Sequence, residues 1–89
     1  MEDLKTLRDR IDGIDKQLVA LFEERMETVL KVAEYKKNNN IPIYHADREK
    51  EVIEKNKNRL KNVEFGDSLE KFFLHMMNLS KDEQKKILE

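Results

Sequence analysis

The sequence predicts an all-α fold, one domain of three helices in which the first is much the longest. Three observations carry this reading. Apolar residues recur at three- and four-residue spacing through Leu4, Leu7, Ile11, Ile14, Leu18 and Leu21, the stripe of a single helix face. Helix breakers are few: two glycines, one proline and the run Asn38-Asn39-Asn40. No segment alternates apolar and polar residues long enough to make a strand, and no repeat of solenoid period occurs.

The first helix is expected over residues 3–38. Gly13 lies off the stripe, where it costs about 1 kcal/mol relative to alanine without breaking the helix. The three asparagines, then Ile41-Pro42, end it, because proline drives its predecessor out of the α region. Such a helix is roughly 54 Å long, whereas a compact chain of 89 residues has a radius of gyration of about 12 Å. The rod therefore overhangs its own domain. A second copy of the same seam is the simplest cover, so a helical homodimer is expected, with a long three-helix bundle in one chain as the alternative. The second helix is expected over 47–61, with Val52, Ile53 and Leu60 as a thin apolar edge. Gly66 then punctuates the chain, and Asp67 with Glu70 reads as a capping box opening a third helix whose inner side carries Leu69, Phe72, Phe73, Met76 and Met77. A single domain accounts for residues 1–89.

Composition narrows the chemistry. Leu, Ile, Val and Phe number 25 of 89 residues, above the level at which disorder is the better expectation. Lys and Arg (18) nearly balance Asp and Glu (19), which leaves no field to hold a nucleic acid backbone. The longest apolar run, Leu18 to Phe22, is far too short to span a bilayer, and the opening Met1-Glu2-Asp3-Leu4-Lys5 lacks the layout of a leader, so a cytoplasmic location is expected. No cysteine is present, which removes disulfides, thiolate metal sites and cysteine nucleophiles together. His45 and His75 stand too far apart in sequence to suggest a zinc site. No serine has an evident histidine and acid relay. What remains is charge and hydrogen bonding.

The pattern breaks in an informative way. Arg25 falls on the seam line of Ile11, Leu18 and Val32, and a guanidinium there demands an anion, either an internal acid such as Glu49 or a bound ligand. Lys36 lies only about 20° from it around the helix and roughly 16 Å further along. Arg8 flanks the same seam too far away to reach that patch on its own helix, but within reach of the equivalent patch of an antiparallel partner. His45, Arg48, Glu49 and Val52 share one face of the second helix. On the third, the line through Leu69, Phe73 and Met76 continues through Ser80 and Gln84 to Ile87. Three helices thus put polar groups where apolar ones were due, which implies a common polar pocket suited to a small dianion.

The segments Leu7-Arg8-Asp9-Arg10-Ile11-Asp12-Gly13-Ile14-Asp15-Lys16-Gln17-Leu18, Leu21-Phe22-Glu23-Glu24-Arg25, Val32-Ala33-Glu34-Tyr35-Lys36 and Pro42-Ile43-Tyr44-His45-Ala46-Asp47-Arg48-Glu49 together resemble the all-α (AroQ class) chorismate mutases. The resemblance spans nearly the whole chain. It implies an intertwined homodimer, without cofactor or metal, that rearranges chorismate to prephenate in phenylalanine and tyrosine biosynthesis. It further implies that Arg25, Arg48, Ser80 and Arg8 from the other chain hold the two substrate carboxylates. Glu49 accepts from the ring hydroxyl, and Lys36 and Gln84 donate to the ether oxygen. Where an aspartate commonly precedes the second helix, this chain has His45, implying altered affinity more than lost activity. The rivals are an isochorismate pyruvate lyase on the same scaffold and a non-catalytic coiled-coil dimerisation module.

Overall fold

The computed structural model describes residues 2–88. Helix α1 runs Leu4–Asn38, α2 Ala46–Asn58, a 3₁₀ turn covers Val63–Phe65, and α3 runs Gly66–Leu88. No strand occurs among the described residues, so the all-helical expectation holds.

Both ends of α1 are closed by groups that the sequence supplies locally. At the start, the Asp3 carboxylate accepts from the Thr6 N–H at 2.8 Å, a bond that holds this carboxyl below its usual range. At the end, Asn40 adopts φ 54°, the left-handed region that asparagine tolerates. The Ile41 N–H donates to the Lys36 carbonyl at 2.8 Å and the Asn40 N–H to that of Lys37 at 3.5 Å, which completes a Schellman closure. The asparagine run therefore stops the helix for a definable reason.

Helix α2 ends at Asn58, three residues short of the expected boundary. Its last turn tightens, with the N–H groups of Arg59 and Leu60 donating to the carbonyls of Asn56 and Lys57, each at 3.1 Å. The Asn56 amide bonds back to the Val52 carbonyl at 2.8 Å, the local competition that makes asparagine a poor helix interior. Leu60 thus lies beyond the helix. The start of α3 also departs from expectation. Gly66 is an ordinary right-handed residue (φ −56°), and the chain enters α3 directly from the 3₁₀ turn, which Asn62 caps by accepting from the Glu64 N–H. Asp67 sits inside the first turn of α3. Glu70 accepts from the Lys57 ammonium at 3.3 Å and ties α3 to α2. The capping box is replaced by these two devices.

Packing is concentrated at one end of the molecule. Helix α3 lies against both α1 and α2, with Ala33, Val52 and Met77 as the buried apolar residues and a T-shaped Phe72–Phe73 pair at 5.5 Å. Every residue of α1 up to Glu24 is exposed. The seam residues Leu4, Leu7, Ile11, Ile14, Leu18 and Leu21 keep between 39% and 61% of their surface. The chain measures 56 × 24 × 15 Å, with a radius of gyration of 16.3 Å, well above that of a compact chain of this length. The overhang read from helix length is real, and its apolar stripe is uncovered within one chain.

Candidate active site

The C-terminal half of α1, the first turn of α2 and the C-terminal half of α3 line a cavity of about 180 Å³. Arg25 and Lys36 reach it from α1, Arg48 and Glu49 from α2, and Ser80 and Gln84 from α3, while His45 lines it from the connector. Of the residues singled out in the sequence, only Arg8 is absent from its wall. Arg8 is exposed on α1, about 25 Å along the helix from Arg25.

Each side chain except that of Gln84 has a definable anchor. The Arg25 guanidinium donates to the Ser80 hydroxyl at 3.2 Å, and that hydroxyl donates to the Met76 carbonyl one turn back, at 2.8 Å. Arg25 has therefore found a neutral partner. Burial first, and the charge of Arg48 second, lower its pKa from the ordinary value. The negative charge of an entering anion would offset both penalties. Lys36 donates one hydrogen to the Ile43 carbonyl at 2.9 Å, which aims the ammonium and leaves it two further donors. Ser80 and Gln84 are only 4% and 7% exposed, so they lie in the packed part of α3. The Gln84 Oε1 atom is buried without a hydrogen-bond partner. An orphaned amide oxygen is costly, and a half-turn of its terminal torsion exchanges it for the NH₂ group.

Arg48 meets Glu51 at 2.5 Å on the exposed side of α2. Exposed pairs of this kind contribute little, so exchanging Glu51 for a ligand carboxylate is cheap. His45 caps α2 by accepting the Arg48 N–H on Nδ1 at 3.1 Å, which in the neutral ring puts the proton on Nε2. This capping role is what the residue offers in place of an acid. We expect His45→Ala to lower unfolding stability by about 1 kcal/mol, seen as a lower urea midpoint, and His45→Asp to keep the cap.

Two participants were not found by sequence reasoning. The Ile43 carbonyl is backbone and leaves no trace in residue type. Lys81 lines the cavity and meets Glu49 Oε2 at 2.9 Å, taking the acid that had been one candidate partner for Arg25. The available signal was its place beside Ser80 and four residues after Met77, on the edge of the polar face.

Fold and cavity together define an all-α domain that gathers cations, one carboxylate and uncharged hydrogen-bonding groups around one small cleft. The chain belongs to the chorismate mutase type II family, whose description it matches over residues 7–85. It is 31% identical over its whole length to a protein named chorismate mutase from Methanocaldococcus jannaschii, covering 91% of that protein. Over 62% of the chain it is 42% identical to a bifunctional chorismate mutase/prephenate dehydratase from Aquifex aeolicus. Over 55% it is 45% identical to the T-protein of Haemophilus influenzae. The matched segments are 15% and 13% of those two longer proteins. No solved structure gives a significant match.

Proposed function

We propose that this chain is a chorismate mutase that converts chorismate to prephenate by intramolecular rearrangement. The observation that carries the reading is the single cavity shared by Arg25, Lys36, Arg48, Glu49, Ser80 and Gln84, drawn from three helices in a chain of this family.

The reaction moves no proton and forms no covalent intermediate, so the protein's contributions are conformation and charge. Arg25 and Arg48 hold the two carboxylates so that the side chain folds over the ring, which converts a rare conformer into the bound one. Ser80 fixes Arg25 from behind. Glu49 accepts from the ring hydroxyl. As the carbon–oxygen bond lengthens, negative charge gathers on the ether oxygen, where Lys36 and the Gln84 amide donate. These bonds are stronger in the transition state than in the ground state, and that difference is the catalysis.

The working unit is an intertwined homodimer. Its support is the bare stripe on α1 and an apolar groove of about 600 Å³ whose lining includes Leu18, Leu21, Phe22, Phe72, Phe73 and Met76, with Arg25 and Arg48 at the border it shares with the cavity. An antiparallel α1 laid on this groove covers the stripe and carries Arg8 of the partner subunit to the rim.

Incubation with chorismate, with the product identified, tests the assignment. Prephenate is expected. Free pyruvate from isochorismate without prephenate from chorismate would indicate the lyase instead. A dianionic transition-state mimic is expected to raise the melting temperature by mass action. An unchanged melting temperature with no turnover would leave only a dimerisation module. No helix among the described residues is long and apolar enough to cross a membrane.

A further inference from the structure

We infer that Lys81 is a positioning residue for Glu49, holding that carboxylate in place and offsetting its charge so that a dianion can bind beside it; this rests on the chorismate mutase reading above. Among the residues lining the cavity, Glu49 is the one carboxylate, facing the cations Arg25, Lys36, Arg48 and Lys81. An acid in a site for a doubly negative guest is a liability unless something compensates it locally. Lys81 does so at 2.9 Å from Oε2, and the second carboxylate oxygen is left for a hydroxyl donor.

The pair differs from the other ion pairs among the described residues. Both side chains are 22% exposed, whereas the other pairs keep 37% or more on each side. Shielding from solvent strengthens a charge pair and raises the penalty for leaving one partner alone. The pair also joins α2 to α3, while most of the others lie within a single helix. A third segment fixes its geometry: the Lys81 ammonium lies 4.7 Å from the centre of the Tyr44 ring in the connector, a cation–π contact. Glu49 itself sits in the first turn of α2, where the helix dipole favours its negative charge. Carboxylate and ring thus hold the ammonium from two sides at the edge of the cavity.

Such a residue acts on binding more than on the chemical step, because Glu49 holds a hydroxyl that is present before and during the reaction, whereas the donors to the ether oxygen are untouched. Lys81→Met is expected to raise KM about 10-fold or more, with kcat changed by less than about threefold. Lys81→Arg keeps a cation in reach of Glu49 and is expected to restore KM to within about threefold of the parent. In a Glu49→Gln background, where no charge needs compensating, Lys81→Met is expected to have little further effect on KM, the non-additivity of two coupled groups. Should Lys81→Met destabilise the fold, Lys81→Gln serves the same comparison, with melting temperatures recorded for each variant. An unchanged KM in folded Lys81→Met or Lys81→Gln overturns the role, as does an equal penalty in the Glu49→Gln background. If the unmodified chain does not turn over chorismate at all, the function falls first, an outcome distinct from an active enzyme that is indifferent to residue 81.

Discussion

Replacing Lys36 with alanine is expected to slow the conversion of chorismate to prephenate by about 10²- to 10³-fold, the usual cost of losing one preorganised donor to a developing oxyanion. The side chain is half-buried, and its ammonium is fixed by the Ile43 carbonyl, so it need not reorganise as charge develops. Its orientation comes from the connector that joins α1 to α2. The connector closes through the left-handed Asn40 and the bond from the Ile41 N–H to the Lys36 carbonyl. One residue is therefore held twice: its backbone accepts the helix-closing bond, and its side chain donates to the segment that follows. The variant frees the Ile43 carbonyl to water, so a small drop in melting temperature is expected alongside the kinetic loss. The loss should fall on kcat, since the ether oxygen carries its charge only as the bond breaks. A folded Lys36→Ala protein with near-normal kcat would remove the residue from the mechanism.

Helices were legible in the sequence where local chemistry decides them. The heptad stripe and the asparagine run gave α1 to within a residue, because periodicity and a left-handed stop act within a few positions. The start of α3 was not legible, since the Asp67–Glu70 spacing mimics a capping box. Asn62 capped the turn before it, and Lys57 on another helix took Glu70. Tertiary partners overrode a local signal. The cavity was legible through a different logic: Arg25, Ser80 and Gln84 each stood where an apolar side chain was due, and the structure brings all three to one cavity. Lys81 obeyed no broken rule. A lysine near the end of a charged helix reads as solvated until the fold carries Glu49, 32 residues away, to within 2.9 Å of it. What sequence conveys least is pairing between segments.

The second large effect concerns Arg8. Arg8→Ala and Arg25→Ala, each purified separately, are both expected to lose most activity, because in the proposed dimer each would remove a cation from a carboxylate of the substrate. Mixing the two after reversible unfolding and refolding together is expected to restore about one quarter of the parent's activity per chain. The arithmetic follows from two-fold symmetry: roughly half of randomly assorted dimers are mixed, and in each of these one site combines an intact Arg25 with the partner's Arg8 while the other lacks both. Recovery of this kind needs a site built from two chains. The physical ground for expecting it is the geometry of α1. Arg8 and Arg25 lie on one continuous helix about 25 Å apart, so no rotamer brings them together within a chain, and the apolar stripe from Leu4 to Leu21 is exposed. If Arg8 served its own chain or only solvated the helix, mixing would return no more than the average of the two variants. That result would dismantle the intertwined dimer while leaving the cavity of α1, α2 and α3 as it stands.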